Sequence, residues 1–413
     1  MNSESQIFLL YLPADRYDSS DKTTLADADA NRTAISGPIA VALNVAESFV
    51  NANIPAILIF NGHPKLFHLF ERTGIDVRRF DMPANSIKKH FNPRYRRRHS
   101  KLLADFVNRE HIDTLYLFNN GGYLLHYIRK LNIFKICTQI AGEPDPQPIK
   151  MFHRGLTLHP KSLLKAWYRK YVRLNYAGAD LVVCGSNAAR ELALRTYGIE
   201  PERAKTVDWG VASKLSDSTP GAIRREFNIP QEAKIVLSVG RITKAKGVED
   251  FGELARIITA RSSGLYRFLF AGPELEQSYG RMVRQKYGQF ITFIGSRLDI
   301  ANAYADADLY VHTSHRESGP QTIIEAMEFG VPSIAWDIPG CNSLIVSEQN
   351  GSLIKFGDLT GLADSVESLL NNRDKYERFS ATAIRMFDRY SNDDYLPNLL
   401  KVIEDRKLVM GIS

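Results

Sequence analysis

The sequence predicts an α/β protein of two domains, each with a parallel sheet. A chain of 413 residues is too long for one ordinary core and about right for two domains. Apolar runs typical of buried strands alternate with helical patterns in both halves. Near the start, residues 7–12, a helix from residue 36 and residues 56–60 form a strand–helix–strand unit, and such units pair their strands in parallel.

Further apolar runs continue this pattern through the first half. They predict strands at residues 115–118 and 134–140, and a strand at 179–187 that runs into a helix cap. Residues 205–211 predict the last strand before a linker, in which Ser, Asp, Thr, Pro and Gly cluster. The predicted domains are residues 1–213, residues 214–390 and a C-terminal helix within residues 391–413.

Two cations bracket the first loop of the second half. A predicted strand at 235–239 ends in Gly240 and Arg241, and Lys246 follows just before a helix that begins at Val248. Negative charge builds on phosphate oxygens as a bond to a diphosphate breaks, and a preorganised arginine and lysine stabilise that charge. The pattern therefore predicts a diphosphate site, although Gly-Arg and Lys-Gly pairs alone are also typical of ordinary surface charge.

A second strand–loop–helix segment carries two glutamates. Residues 309–311 predict a strand, Pro320 suits the first helical position because it lacks an N–H, and Gly330 is a natural stop. The helix N-terminus offers N–H groups to a diphosphate. Glu317 and Glu325 can each accept hydrogen bonds from sugar or ribose hydroxyls. By spacing alone, the alternative that both are solvated surface residues stays open.

The residues of this segment that form a recognisable pattern are Glu317, Ser318, Gly319, Pro320, Gln321, Glu325, Ala326 and Met327. The pattern resembles the paired-glutamate signature of glycosyltransferase family 4, which are retaining enzymes of GT-B fold. The resemblance implies two facing Rossmann-like domains and a C-terminal helix that crosses back to the first. It also implies transfer of a sugar from a UDP- or GDP-sugar, bound by the C-terminal domain, to an acceptor hydroxyl bound by the N-terminal domain.

The resemblance also implies roles for individual residues. Arg241 and Lys246 would stabilise the departing diphosphate, and Glu317 would hold the donor sugar, so these three are the predicted catalytic residues. Glu325 would bind the ribose, and glycines would let the backbone approach the donor. The predicted substrate-binding residues are Gly37, Glu143, Gly272, Gly295, Ser318, Gly319, Pro320, Gln321 and Glu325.

One loop departs from the family pattern. Family members often carry a histidine near the reacting sugar, where this chain has Gly142 and Glu143. Glu143 either contacts the donor or acceptor sugar or is an ordinary loop carboxylate. The departure supports one alternative function, a catalytically silent GT-B subunit that binds nucleotide or a partner enzyme. A further alternative is a soluble transferase that makes a disaccharide or small glycoside.

We expect neither a metal nor another cofactor. Asp-x-Asp pairs at residues 27–29 and 306–308 look like the cation-binding motif of other transferases. The first lies in a long polar loop, however, and the second caps or flanks a predicted strand, while in the resembled family cationic side chains and a helix dipole replace the metal. Cys137, Cys184 and Cys341 lie too far apart for a disulfide framework or a metal cluster and indicate a reducing cytosol.

A basic region lies in the first half. Residues 85–175 contain 18 Lys/Arg and 5 Asp/Glu, whereas the whole chain carries +7, so the rest is mildly acidic and an anionic partner is expected. Cations and aromatics from Lys161 to Arg173, with the run from Arg94 to Lys101, favour an anionic membrane surface and a lipid-linked or polysaccharide acceptor. The alternative is a helix packed on the core with a solvated basic face. The sequence shows no aromatic platform on which bases could stack, so nucleic acid is not an expected partner.

The hydropathy pattern predicts no transmembrane helix, because no segment contains the roughly eighteen uncharged apolar residues that one needs. The first residues lack the basic start of a signal peptide. We therefore expect a cytoplasmic protein, with peripheral association at the inner face of the membrane as an open possibility.

Overall fold

The structure is a computed structural model. It describes residues 7–12, 37–60, 64–80, 93–118, 131–139, 176, 178–211, 213, 217–262, 264–274, 276–297, 299–390 and 392–412. The chain divides into two compact units, whose main segments are Ala46–Asp208 and Trp209–Tyr395, and the residues from Leu396 onward group with the first. The predicted domain boundaries, which lie a few residues away, stay a prediction.

The first unit is built on a seven-stranded sheet. Its strands are β1 (Phe8–Leu12), β2 (Ala56–Phe60), β3 (Asp76–Arg79), β4 (Thr114–Leu117), β5 (Phe134–Gln139), β6 (Leu181–Cys184) and β7 (Ala204–Thr206). The order is β3-β2-β1-β4-β5-β6-β7, and every neighbouring pair is parallel. This arrangement confirms the sheet type that the first strand–helix–strand unit predicts.

The helices of the first half are α1 (Gly37–Asn51), α2 (Pro64–Glu71), α3 (Pro93–Arg109) and α4 (Asn187–Tyr197). Helix α4 begins where the sequence predicts a cap, since the hydroxyl of Ser186 accepts a hydrogen bond from the backbone N–H of Ala189 at 3.0 Å. It ends at Gly198, whose φ of 62° is left-handed and favours glycine.

The second unit is built on a six-stranded sheet. Its strands are β8 (Lys234–Val239), β9 (Tyr266–Ala271), β10 (Ile291–Gly295), β11 (Leu309–His312), β12 (Ser333–Trp336) and β13 (Gly351–Ile354). The order is β10-β9-β8-β11-β12-β13, again with parallel neighbours throughout. Counted within this unit, the order is 3-2-1-4-5-6, that of a doubly wound nucleotide-binding sheet.

The helices of the second half are α5 (Ala222–Glu226), α6 (Val248–Arg261), α7 (Gln277–Tyr287), α8 (Ile300–Asp306), α9 (Gln321–Glu328), α10 (Leu359–Leu370), α11 (Arg373–Phe387) and α12 (Asn392–Met410). Helix α12 confirms the predicted C-terminal helix. It contacts the first unit, where the Arg406 guanidinium donates to the carbonyl of Asp180 at 3.0 Å. In the described part of the chain, no helix is both long and apolar enough to cross a membrane.

Some strands differ from the prediction. The strand predicted at 205–211 ends at Thr206, because its partner β6 ends at Cys184, the residue paired with Thr206. Strands β3, β12 and β13 were not predicted. β3 is an edge strand with charged residues and no apolar run.

Candidate active site

The strand order of the second sheet reverses between β8 and β11. Successive strands β8, β9 and β10 lead to one edge of the sheet, and β11, β12 and β13 lead to the other. The loops after β8 and β11 therefore flank a crevice at the carboxyl edge, which is where open α/β sheets bind ligands. The first of these loops carries Arg241 and Lys246, and the second carries Glu317.

Glycines shape the carboxyl edge beside this point. The N–H of Gly240 donates to the carbonyl of Ala271 at 2.9 Å, and the N–H of Gly272 donates to the carbonyl of Gly295 at 2.8 Å. Gly272 has a φ of +145°, and a Cβ there would overlap the carbonyl oxygen of Gly240. The backbone at Gly272 is thus packed against Gly240 without room for a side chain, whereas a Cβ at Gly295 would meet open space. The binding role of both Gly272 and Gly295 stays a prediction.

A second close approach brings the two loops together. Lys246 is the last residue of a short 3-10 turn that ends at Gly247, whose φ is +63°. A Cβ at Gly247 would overlap the carbonyl oxygen of Thr313 in the loop after β11. The N–H of His315 in that loop also donates to the carbonyl of Ala245 at 2.9 Å. These backbone contacts place Lys246 beside Glu317.

Lys246 and Glu317 form a largely buried ion pair. The ammonium Nζ lies 2.5 Å from Oε1 of Glu317, and the side chains are 26% and 12% exposed. The ring Nε2 of His312 lies 3.1 Å from the same carboxylate oxygen. Burial alone would raise the pKa of the Glu317 carboxyl, but the charge of Lys246 and the hydrogen bonds from His312 and Lys246 lower that pKa well below its usual range. Glu317 is therefore ionised at neutral pH.

Glu325 occupies a separate, tyrosine-lined position on α9. It is 8% exposed, and the Tyr304 hydroxyl donates to its Oε2 at 2.9 Å. Burial raises the pKa of the Tyr304 hydroxyl, and the charge of Glu325 raises it further, so Tyr304 remains a hydrogen donor. The hydroxyl of a second tyrosine, Tyr310, donates a hydrogen bond to Oγ1 of Thr322, in the first turn of the same helix, at 2.7 Å.

The loop from Ser318 to Gln321 leads into α9. Pro320 was predicted at the first helical position but is the N-cap residue, with an extended ψ of 109°, and the helix begins one residue later at Gln321. Gly319 has a φ of +150°, and a Cβ at Gly340 would lie 2.8 Å from the Glu317 carbonyl oxygen, so two glycines hold this loop close to its neighbour. Among the described residues, the buried side-chain nitrogen of Gln321 has no hydrogen-bond partner. Ser318, like its neighbours, stays a predicted binding residue.

Arg241, which follows β8 in the first loop, is exposed. It shares that loop with Lys246 and so lies at the same sheet edge. The catalytic roles of Arg241, Lys246 and Glu317 stay a prediction.

The second Asp-x-Asp pair, Asp306 and Asp308, accepts hydrogen bonds and forms ion pairs within the protein. Asp306 accepts hydrogen bonds from the backbone N–H groups of Gly221, Ile223 and Arg224, and thus caps the N-terminus of α5. Asp308 binds the Lys234 ammonium at 3.0 Å and the Arg224 guanidinium at 3.2 Å. Both carboxylates therefore have structural roles, and Asp306 caps a helix rather than the strand that the sequence suggested. Over the described ranges, no cluster of His, Cys, Asp and Glu could hold a metal ion.

Several predicted features fall elsewhere. Gly37 is the first residue of α1, and Arg94 to Lys101 lie on α3, where Arg97, Arg98 and Lys101 are exposed. Glu143, the first Asp-x-Asp pair and the basic stretch from Lys161 to Arg173 lie outside the described residues. Cys137, Cys184 and Cys341 are buried free thiols.

Three residues of the site were missed by sequence reasoning: Tyr304, Tyr310 and His312. The last two lie two residues apart on β11 and therefore on one face of the sheet. A polar pair at that spacing inside an otherwise apolar strand just before the glutamate loop is the signal that could have indicated them.

Two family models match the chain. The model for glycosyl transferases group 1 matches residues 221–386, and the model for Glycosyltransferase Family 4 matches residues 35–214. Together they span most of the chain and meet near the change from the first unit to the second.

Individual relatives are similar to this chain at modest identity. A GDP-mannose-dependent alpha-mannosyltransferase of Mycobacterium tuberculosis is 28% identical over 274 residues, which are 64% of this chain and 65% of that protein. The match thus spans less than two thirds of the relative. A glycosyltransferase from Rickettsia africae superposes with a TM-score of 0.73 at 19% identity, covering 99% and 100% of the two chains. The Anabaena protein HepE in complex with UDP gives 0.72 at 18%, covering 97% and 100%. These two structures support the fold alone.

Proposed function

The chain belongs to the group 1 glycosyltransferases of family 4, and on that premise we propose that it transfers a sugar from a UDP- or GDP-sugar with retention of anomeric configuration. The observation that carries the proposal is the Lys246–Glu317 ion pair at the reversal point of the second sheet. It joins a cation suited to a diphosphate with an ionised carboxylate suited to sugar hydroxyls. UDP is bound by the Anabaena structure, and GDP-mannose is named for the mycobacterial relative, so both donor classes are candidates.

In the proposed reaction, the bond between the anomeric carbon and the diphosphate oxygen breaks. Negative charge then grows on the diphosphate, where Lys246 and Arg241 stabilise it more strongly than in the bound donor. The acceptor hydroxyl oxygen bonds to the anomeric carbon from the face that the diphosphate leaves, and its proton passes to an oxygen of the departing diphosphate. The protein need supply neither a nucleophile nor a metal.

The two glutamates have separate proposed tasks. Glu317 accepts a hydrogen bond from a hydroxyl of the donor sugar, and Glu325, held by Tyr304, binds the ribose. The N–H groups at the start of α9 and the backbone at Gly272 and Gly295 complete the donor site.

A donor screen tests this proposal. The purified chain is incubated with UDP-glucose, UDP-N-acetylglucosamine and GDP-mannose, and slow release of the nucleoside diphosphate is measured without an acceptor. We expect release from one nucleotide class, and a loss of about a hundredfold in Lys246→Ala. Lys244 lies on the same turn and is exposed, so Lys244→Ala is the matched control and should stay within about threefold.

The outcomes separate the alternatives. Equal losses in the two lysine variants would contradict the role of Lys246. If calorimetry shows that UDP or GDP binds but no donor is turned over, the chain is a silent nucleotide-binding subunit. When an acceptor has been found, proton NMR of the anomeric position of the product decides between retention and inversion.

For the acceptor we propose a lipid-linked or otherwise anionic glycan at a membrane surface. The support is the exposed cationic face of α3, with Arg97, Arg98 and Lys101. Flotation with anionic and with neutral liposomes tests the membrane part of this proposal. The anionic vesicles should retain the chain, and Arg97→Gln with Arg98→Gln should weaken retention.

The matched control for flotation removes two exposed cations from α7, Arg281→Gln with Lys286→Gln, and leaves the charge change equal. Equal retention by both vesicle types, or equal loss in both double variants, would count against binding through α3. Retention by neither vesicle type would favour the soluble transferase.

A further inference from the structure

We propose that Tyr310 and His312 are positioning residues that orient Glu317 so that one carboxylate oxygen is reserved for the donor sugar. The proposal rests on the proposed function, because it assigns Glu317 to the sugar. It concerns a chain of contacts behind Glu317 rather than the residues that touch the donor.

The contacts form a continuous line. The ring Nε2 of His312 lies 3.1 Å from Oε1 of Glu317, and its Nδ1 lies 3.1 Å from the Tyr310 hydroxyl. The Tyr310 hydroxyl lies 2.7 Å from Oγ1 of Thr322. His312 is 3% exposed and Tyr310 is fully buried, so water does not replace these partners.

The proton positions follow from the donors available. Glu317 is ionised and only accepts, so Nε2 of His312 carries the hydrogen that bonds it. The Tyr310 hydroxyl faces the other ring nitrogen, Nδ1, at 3.1 Å, and also lies 2.7 Å from Oγ1 of Thr322 and 3.4 Å from the carbonyl oxygen of Val239. Burial raises the pKa of the Tyr310 hydroxyl well above its usual range, so that hydrogen is retained. The hydroxyl hydrogen of Tyr310 bonds Oγ1 of Thr322, the nearest of these partners.

These contacts fix the orientation of the Glu317 carboxylate. Within the part of the chain that the structure describes, the hydrogen bonds from Lys246 and His312 both fall on Oε1. Oε2 is left for a hydroxyl of the ligand. Two donors on one oxygen prevent the carboxylate from rotating, which would otherwise exchange its oxygens.

The same line reaches the second glutamate. Thr322 lies in the first turn of α9, and its carbonyl lies 3.3 Å from the Tyr304 hydroxyl that binds Glu325. Contacts that begin at β11 therefore reach both glutamates, through Thr322 and Tyr304. A donor that binds its sugar at Glu317 and its ribose at Glu325 would depend on that spacing.

A spectroscopic experiment tests the proton assignment without any substrate. The full chain is labelled with 15N-histidine, and the His312 resonances are assigned by their loss in His312→Gln. We expect a hydrogen on Nε2, the nitrogen that faces the Glu317 carboxylate. Tyr310→Phe should shift the Nδ1 resonance, because the hydroxyl that faces Nδ1 is removed. A hydrogen on Nδ1 alone, or an unchanged Nδ1 resonance in Tyr310→Phe, would overturn the proposal.

A kinetic experiment tests the positioning role, using UDP-glucose with UDP or GDP-mannose with GDP, whichever pair the enzyme accepts. His312→Leu should raise KM for the sugar nucleotide about tenfold, because it loses a hydrogen bond to a charged group. The inhibition constant of the nucleoside diphosphate alone should stay within about twofold, because that ligand lacks the donor sugar that Glu317 would bind. His312→Gln, which can place an amide N–H near Nε2, should recover most of the loss.

The control for Tyr310→Phe is Tyr287→Phe. Tyr287 is equally buried in the same unit, and its hydroxyl binds Glu253 instead. If a variant of Tyr310 or His312 loses affinity equally for the sugar nucleotide and for the nucleoside diphosphate, the damage is general and the positioning role is refuted. If no donor is turned over at all, the proposed function fails, while the 15N resonances still decide on the contact line.

Discussion

Replacing Glu317 by glutamine should destabilise the second unit in a pH-dependent way. At the observed 2.5 Å separation, two unit charges attract by roughly 6–7 kcal/mol at an effective dielectric constant of 20, and desolvation opposes much of that. Removing one member of a fully buried pair costs roughly 3–5 kcal/mol. The Lys246 side chain is 26% exposed, so in the variant water partly solvates its unpaired charge. We therefore expect a loss of about 2 kcal/mol at pH 7.

The sign of the pH dependence follows from the lowered pKa of Glu317. A carboxyl whose pKa is lower in the folded chain than in the unfolded chain stabilises the fold above its unfolded value, and this contribution is lost as the pH falls toward the folded value. The difference between wild type and Glu317→Gln should therefore be full at pH 7 and shrink below about pH 4.5, the ordinary range of a glutamate.

Urea unfolding followed by tryptophan fluorescence measures this difference at a series of pH values. Glu377→Gln is the control, because Glu377 pairs with Arg373 at the surface, where both side chains are well exposed. Its effect should stay below about 0.5 kcal/mol at every pH. A Glu317 variant as stable as this control at pH 7, or a difference that does not shrink in acid, would refute the reasoning.

Three further changes have expected outcomes. Asp306→Ala removes the acceptor of three backbone N–H groups at the start of α5 and should lower the free energy of unfolding in urea by about 2 kcal/mol. The control, Asp364→Ala, removes an exposed carboxylate and should cost less than about 1 kcal/mol. Equal costs for the two variants would contradict the capping role. Gly272→Ala should cost about 3 kcal/mol or more, since its Cβ would overlap Gly240, whereas Gly264→Ala, with φ of +87° and open space, should cost only about 1 kcal/mol. Donor turnover should persist in EDTA, because Lys246 and Arg241 supply the positive charge; loss of turnover, restored by Mg²⁺, would contradict this.

The α/β class was predictable because it depends on local patterns. Apolar runs mark the buried strands β1, β2, β4, β5, β8 and β11, and helix signals such as Ser186 and Gly330 act within a turn of their own residues. The residue types suited to a diphosphate and to sugar hydroxyls were also readable, because charge and hydrogen-bonding capacity belong to the side chain itself.

The tertiary structure decided which of those residues meet. Strand order depends on pairing between residues far apart in sequence, and only the adjacency of β8 and β11 brings Lys246 to Glu317, 71 positions away. The same packing buries His312 and Tyr310 behind Glu317 and assigns Asp306 to the N-terminus of α5. A sequence specifies what each side chain can do, whereas its partners are set by the long-range contacts that close the fold.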